Sequence, residues 1–562
     1  MRLVPRITLA LAASTGLVLA LGCAARPGSE QASTLQPKAF YPGFGGYHRP
    51  VTTSIVEAQQ AFDQGLQLLY GFNHDEAIRS FHHAAALDPE CAMAWWGIAY
   101  AHGLHINNPQ MGEEQSRRAF EATQEALKRI DHAGPIEQAL IRAVAQRYAW
   151  PAPDNRRPLD EAYAGAMARA YAQFPDDPDV GALFAESMMN LQPWDLWTHE
   201  GEPKGRTLEI LAVLDDTLSH SPMHPGANHF YIHAIEASPW PEKGLPAAER
   251  LVDLVPGSGH LVHMPSHIFI RTGRYAQAAD ANTRAIAADE AYFRLAPAPD
   301  FYNLYFLHNV HFLAYAAMME GRYETALAAA RQIERDIPET FLREIVGFAD
   351  GFMPTVLHVM IRFGKWEDVL GEPAPADYRL LSRAERHYAR AVALANLHRI
   401  DEAEQELAKF DTVVAQMDDT WFKGNNPASA VVGIGRNMAA GEIAFKDGRT
   451  DEAFMLLREA VSLEDKLVYD EPPGWMQPVR HALGALLLSD GRAAEAEQVY
   501  RDDLKRHVSN GWALLGLQQS LEAQGKAVEA GTLDAALDEA WARADVRPVA
   551  SCYCSALAEQ SD

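Results

Sequence analysis

Gly65-Leu-Gln-Leu-Leu-Tyr-Gly-Phe-Asn-His-Asp-Glu-Ala77 is the stretch that decides the fold. Phe81 follows it, and Trp95 opens a second stretch of the same kind in which Ala99 stands 34 residues after Gly65. Small and aromatic residues that recur at this period mark a repeat of two helices. The small residues let paired helices approach, and the aromatic ring fills the space between units. The stretch therefore predicts an array of helix pairs.

The same turn between two helices recurs through the rest of the chain. It is seen in Gly321-Arg-Tyr-Glu-Thr-Ala326. Further copies begin at Gly273, Gly364, Arg399, Gly448 and Gly491. Segment 131–227 has helical periodicity although it departs from the repeat, and the sequence has no strand-like alternation of consequence. We therefore predict an all-α fold, a TPR-like α-solenoid in which about nine to eleven helix pairs form a right-handed superhelix.

The first 22 residues have the pattern of an export signal. A basic start is followed by an apolar run from Ile7 to Leu21, which is shorter than the ~20 residues of a membrane span. Small residues directly before Cys23 predict a lipoprotein signal, with Cys23 lipidated at the mature N-terminus. Ala24 favours routing to the periplasmic side of the outer membrane. The alternative is cleavage near Ala24-Ala25, which would release a free periplasmic protein.

The domain organisation follows from composition and repeats. After the signal peptide at 1–22, residues 23–50 are rich in Ser, Gln, Pro and Gly and predict a flexible tether. We expect an N-terminal TPR-like array at 51–345, a C-terminal array at 346–545 and a cysteine-containing tail at 546–562.

Charge and cysteine content narrow the class of protein. The formal net charge of −26 argues against nucleic-acid partners and against electrostatic adhesion to anionic lipid, so contact with a membrane is expected only through the lipid anchor. Cys552 and Cys554 can pair or bind metal in an oxidising compartment. A disulfide across one intervening residue is strained, which favours free or metal-binding thiols.

Seven of the 22 histidines lie between Asn228 and His311, all in phase with a helix. Residues three, four and seven positions apart share one face of a helix. Aligned with the repeat, these side chains occupy inward positions on three neighbouring helices. With one acidic residue, the predicted metal ligands are His229, His233, Glu236, His260, His263, His267, His308 and His311.

Imidazole nitrogen is the commonest ligand of zinc, copper and iron, and carboxylate often accompanies it. The set exceeds the needs of one tetrahedral ion, so we expect two ions, or one ion with histidines that face a substrate. Glu236 is the predicted catalytic residue, placed beside metal-bound water. The alternative is a polar groove in which the histidines bond to one another, to water and to backbone.

Several residues outside this set are candidates for ligand binding. Asn107, Trp194, Asp195, Trp197 and Asn228 lie in stretches too aromatic or too polar to be ordinary loops. Packing of the tryptophans and helix capping by the asparagines are the structural alternatives. Nucleophile signatures, phosphate-binding glycine loops and the zinc-protease motif are absent from the sequence.

From about Ala61 to Cys554 the chain resembles a widespread group of bacterial tetratricopeptide-repeat lipoproteins. Besides the opening stretch, the resemblance is carried by Cys91-Ala-Met-Ala-Trp-Trp-Gly, Pro193-Trp-Asp-Leu-Trp, His224-Pro-Gly-Ala-Asn-His-Phe-Tyr-Ile-His, His260-Leu-Val-His-Met-Pro-Ser-His-Ile and Asn510-Gly-Trp. It implies the fold and no particular reaction.

Two classes of function stay open on the sequence. One is a metal-binding groove, either an enzyme that acts on a small molecule by hydrolysis or oxidation, or a metal carrier. The other is a scaffold that binds a peptide or protein in its concave groove without metal. Imidazoles in place of the Asn, Lys and Arg typical of peptide-binding grooves favour the first.

Overall fold

A computed structural model describes residues 40–296 and 301–555. The predicted signal peptide, Cys23 and the first part of the predicted tether lie outside the described residues. Within them the chain is all-α, a TPR-like helical solenoid. A hairpin of two short strands, Phe422–Lys423 and Asn426–Pro427, is the only sheet in the part of the chain that the structure describes.

The helices follow one another along the solenoid, and consecutive helices pack together. In chain order they are α1 Val56–Tyr70, α2 His74–Leu87, α3 Ala92–Ala101, α4 Glu113–Lys128, α5 Pro135–Val144, α6 Arg157–Gln173, α7 Pro178–Met189, α8 Thr207–His220, α9 Pro225–Ile235, α10 Leu245–Leu251, α11 Gly259–His263, α12 Pro265–Arg271, α13 Tyr275–Phe293, α14 Asn303–Met319, α15 Tyr323–Asp336, α16 Glu339–Glu344, α17 Val346–Ala349, α18 Thr355–Arg362, α19 Trp366–Gly371, α20 Leu380–Asn396, α21 Ile400–Val414, α22 Ala428–Lys446, α23 Thr450–Glu464, α24 Val479–Ser489, α25 Ala493–Arg506, α26 Gly511–Ala523, α27 Ala527–Gly531 and α28 Asp534–Ala540. Short 3₁₀ turns lie at Ile130–His132 and Pro241–Gly244.

Packing inside the first unit agrees with the sequence pattern, in which small residues face an aromatic ring. The buried ring of Phe81 on α2 lies between Gly65 on α1 and Gly97 on α3. A Cβ atom at Gly65 would meet the ring at 2.7 Å, and one at Gly97 would meet it at 2.5 Å. Only glycine therefore lets the three helices close on this ring.

The end of the chain folds back onto the middle of the solenoid. The indole nitrogen of Trp512 donates to the backbone oxygen of Met318 at 3.0 Å, and the Val546 amide donates to the backbone oxygen of Gly321 at 3.2 Å. The ring of Tyr553 packs against Gly364. The C-terminal part of the chain therefore packs against the turns that follow α14 and α18.

The described part of the predicted tether, residues 40–50, packs on the solenoid, which differs from a flexible tether. Arg49 is buried, and its Nη1 atom lies 2.5 Å from Asp179 Oδ2 and 3.0 Å from Asp177 Oδ1. The Tyr41 amide donates to Gln64 Oε1 at 2.7 Å. A buried ion pair and aromatic side chains hold this segment in place, although its composition is typical of linkers.

Cys552 and Cys554 are joined in a disulfide, which corrects the expectation of free or metal-binding thiols.

Between 40 and 296 and between 301 and 555, none of the helices has the length and apolar character needed to cross a membrane.

Candidate metal centre

Four helices bring the predicted ligands together. Helix α9 carries His229 and His233 and ends one residue before Glu236. His260 and His263 lie on α11, His267 on α12, and His308 and His311 on α14. All except the partly exposed His308 are buried. All of them except His311, together with Glu471, form three groups within which the ligand atoms lie within 4.8 Å of one another.

The first group is His229, His233 and His260. His229 donates from Nδ1 to the backbone oxygen of Tyr70 at 2.6 Å, and His233 donates from Nδ1 to Glu236 Oε1 at 2.9 Å. Because an acceptor holds the proton on Nδ1, the Nε2 lone pairs of both rings are left for another partner. Nε2 of His229 lies 3.2 Å from Nε2 of His260, and Nε2 of His233 has no hydrogen-bond partner among the described residues.

The second group is His263, His267 and His308. His263 donates from Nδ1 to Asn282 Oδ1 at 2.6 Å, and the amide is oriented by its own donation to the backbone oxygen of Ala278. Nε2 of His263 lies 2.9 Å from Nε2 of His267. A second pair of ring nitrogens therefore converges further along α11 and α12.

The third group is Glu236, His267 and Glu471. Nδ1 of His267 lies 2.8 Å from Glu236 Oε2 and 3.0 Å from Glu471 Oε2. Glu471 lies in segment 465–478, between α23 and α24, and its other oxygen accepts from the Tyr469 hydroxyl. The sequence analysis missed Glu471, since no periodic signal links it to the histidines. The usable signal was the interruption of the repeat by Tyr469-Asp-Glu-Pro-Pro-Gly-Trp475.

Most of these imidazoles are held neutral. Burial, and after it the neighbouring imidazoles, holds the pKa of His260 and His263 well below 6.5. Burial and His233 do the same for the pKa of His229. Burial and then His267 lower the pKa of His308 to about 3. A neutral ring is the form that binds metal, so these residues need no deprotonation at neutral pH.

Glu236 and His267 form a charged pair in the absence of metal. Burial disfavours both charges, but the nearby His267 and His233 lower the pKa of Glu236 to about 2. Burial likewise opposes the charge on His267, yet Glu236 and Glu471 raise its pKa to about 10. A carboxylate with a lowered pKa is a weak base, so this geometry suits Glu236 as a ligand or orienting group, and its predicted catalytic role beside metal-bound water stays a prediction.

His311 stands apart from the three groups. Its ring lies 5.2 Å from that of Phe352, and neither ring nitrogen has a hydrogen-bond partner among the described residues. Beyond it lies a buried cluster that the sequence analysis missed, in which Glu385 accepts from Lys423 Nζ at 2.8 Å and contacts His358 Nε2 at 2.7 Å. His311 therefore belongs to none of the three groups, and its role as a ligand stays a prediction.

A cavity of about 2760 Å³ reaches the first and third groups, because His233 and Glu236 are part of its wall. Asn107, Trp194, Asp195 and Trp197 line it as well. The Trp194 ring lies 5.4 Å from the ring of His233. These four predicted binding residues therefore share a space with the candidate centre.

Asn228 does not line this cavity. It is buried, its Nδ2 donates to the backbone oxygens of Pro222 and His224, and its Oδ1 accepts from Arg250. The prediction of a binding role for Asn228 is replaced by a structural one. All its polar atoms are used inside the protein.

The chain matches no protein-family model and none of the curated proteins compared with it. Among solved structures, the human IFIT1 dimer with m7Gppp-AAAA is similar over 87% of this chain and 91% of its own, at 13% identity and a TM-score of 0.31. The APC/C hetero-tetramer Cut9-Hcn1 is similar over 89% of this chain and 79% of its own, at 13% identity and a TM-score of 0.30. At these TM-scores the likenesses carry no argument about function.

Proposed function

We propose that this protein binds transition-metal ions at its buried histidines, and that the ion of the first group acts on a small molecule or peptide held in the cavity. One observation carries the proposal. Tyr70 and Glu236 hold the Nδ1 protons of His229 and His233, so that both Nε2 lone pairs point to the space that His260 shares. Metal-binding histidines in proteins are oriented by such acceptors.

The distance between two of the ring nitrogens agrees with an ion at this position. Ligand atoms about 2.1 Å from one ion lie roughly 3.0 to 3.4 Å apart in octahedral or tetrahedral geometry. The Nε2 atoms of His229 and His260 are 3.2 Å apart. A hydrogen bond between those two rings explains the same distance, but it leaves Nε2 of His233 buried without a partner, at a cost of about 1–3 kcal/mol. An ion satisfies all three nitrogens.

Three imidazoles suit zinc, copper or iron. An ion held by three protein ligands keeps an open position that can activate water or bind a substrate. His233 and Glu236 are the residues through which the cavity meets the centre, and the Trp194 ring beside His233 offers an aromatic surface to a ligand. Hydrolysis and oxidation are both compatible with this arrangement.

The test is metal analysis of protein purified without a histidine tag. We expect at least one stoichiometric zinc, copper or iron ion, and we expect His233→Ala and His260→Ala to lose it while the helical circular dichroism spectrum persists. His82→Ala is the matched control, since His82 is exposed on α2 and should change nothing. A wild-type protein that holds no ion and binds none below micromolar concentration contradicts the proposal.

A TPR-like solenoid is also a fold that suits a protein-binding scaffold, and one observation favours that second candidate. The cavity of about 2760 Å³ exceeds the roughly 300–1,000 Å³ of ordinary small-molecule sites, so it can hold an extended peptide. Peptide-array binding separates the two candidates. Peptides that bind equally to wild type and His233→Ala, with no metal in either, favour the scaffold.

We further propose export to the periplasm and an outer-membrane lipid anchor on Cys23, as expected of the bacterial lipoprotein group. The support is the sequence pattern of residues 1–24. A clickable fatty-acid analogue should label wild type and not Cys23→Ser. Equal extraction of the two proteins without detergent contradicts the anchor.

A further inference from the structure

Glu471 reaches the candidate centre from a distant part of the sequence. It lies 204 residues after His267, in segment 465–478, and is buried. Its Oε1 atom accepts from the Tyr469 hydroxyl, and the Tyr469 ring in turn lies 5.6 Å from the guanidinium of Arg271 on α12. The carboxylate is thus held in a fixed direction, with Oε2 towards His267.

The contacts around Nδ1 of His267 are close but are not hydrogen bonds. Glu236 Oε2 at 2.8 Å and Glu471 Oε2 at 3.0 Å both lie off the direction in which a ring N–H donates. None of these three buried atoms has a hydrogen-bond partner among the described residues. The His267 ring supplies at most one positive charge to two buried carboxylates, and its Nδ1–H is not directed at either of them.

The other atoms of the same side chains are already occupied. Oε1 of Glu236 accepts from His233 Nδ1, and Nε2 of His267 faces His263 Nε2 at 2.9 Å. The atoms left without a hydrogen bond are Oε2 of each carboxylate and Nδ1 of His267. Their separations of 2.8 and 3.0 Å are close to the roughly 3.0 Å between neighbouring ligands of a six-coordinate ion.

We propose that Glu236, His267 and Glu471 hold a second ion, separate from the all-imidazole position, and that this ion is an oxygen-preferring divalent cation such as Mn²⁺. This inference rests on the proposed function, because Glu236 then binds one ion through Oε2 and orients His233 for the other through Oε1. Two carboxylates and one imidazole suit Mn²⁺ better than three imidazoles do. The second ion also ties segment 465–478 to α9 and α12.

The experiment uses the full chain, stripped with chelator and reloaded with Zn²⁺ and then Mn²⁺. We expect one zinc ion at the imidazoles and one Mn²⁺ with a spectrum of bound manganese in electron paramagnetic resonance. Glu471→Gln should weaken Mn²⁺ binding at least tenfold and leave zinc binding unchanged. Glu471→Asp, which keeps the charge but shortens the reach, should do the same and serves where the first variant fails to fold.

Glu464→Gln is the matched control, since Glu464 is a carboxylate on α23 beside the same segment and accepts from the Val479 amide. It should bind Mn²⁺ like wild type. Hydrogen exchange gives a second readout, because Mn²⁺ should protect segment 465–478 in wild type and not in Glu471→Gln.

Other outcomes overturn the inference. If His308→Ala loses the second ion and Glu471→Gln still binds it, the ion lies at His263, His267 and His308 instead. Wild type that binds zinc and no Mn²⁺ overturns this inference alone. Wild type that binds no metal overturns the proposed function together with it.

Discussion

Replacing Gly97 with alanine should open the first unit of the solenoid. The added Cβ would lie 2.5 Å from the Phe81 ring, about 1 Å closer than a normal carbon contact. The ring has no room to retreat, since it is fully buried and Gly65 closes the opposite side, where a Cβ would lie at 2.7 Å. Overpacking of this kind costs about 1–3 kcal/mol.

The matched control is Gly165→Ala, in the middle of α6. There the nearest atom to an added Cβ is Arg169 Nη1 at 3.8 Å, an ordinary contact at the end of a flexible side chain. Both variants gain the same helix propensity of about 1 kcal/mol. The difference between them, about 1–3 kcal/mol, therefore isolates the clash with Phe81.

Urea unfolding followed by circular dichroism measures this difference from the shift in midpoint. The substitution should also weaken the metal centre, because α1 ends at Tyr70, whose backbone oxygen orients His229. Phe81→Leu in the Gly97→Ala background should recover part of the loss, which is a coupling between neighbours. Equal midpoints for Gly97→Ala and Gly165→Ala would refute the packing argument.

Two more predictions concern charge. Arg49→Ala should lower the free energy of unfolding by about 3–5 kcal/mol, because it removes the guanidinium from the buried carboxylate of Asp179. Thermal unfolding of the variant tests this. An unchanged melting temperature contradicts the packing of residues 40–50 on the solenoid. Metal-free protein should lose stability as pH falls below about 6.5, because the pKa values of His229 and His260 are lowered in the folded state and the unfolded chain takes up the protons. His267 acts in the opposite sense, since its pKa is raised to about 10. Its contribution to stability is full below pH 6.5 and is lost as the pH rises through 10. Urea midpoints at pH 7.5, 6 and 5 measure the sum, and a midpoint that rises towards pH 5 contradicts the dominance of the lowered groups.

The repeat could be predicted from the sequence because a solenoid unit contacts mainly its neighbours. Spacing alone therefore placed His229, His233 and His260 on adjoining inward faces. Glu471, residues 40–50 and the return of Trp512 onto Met318 rest on contacts between distant parts of the chain. Such contacts leave no period in the sequence. For the same reason the sequence could not show that His311, in phase with His308, belongs to none of the three groups.

The contact between segment 465–478 and His267 is what would enclose the proposed metal position. A concave groove offers ligands from one side and leaves the opposite side to water, which suits a weakly held ion. Here Tyr70 from α1, the histidines of α9 and α11, and Glu471 from beyond α23 approach from different directions. The backbone stays helical through Met264 where α11 meets α12, so His263 and His267 share one face and their Nε2 atoms lie 2.9 Å apart. If an ion binds here, ligands from opposite walls would fix its coordination and exclude water, so its affinity would depend on contacts far along the chain from the histidines.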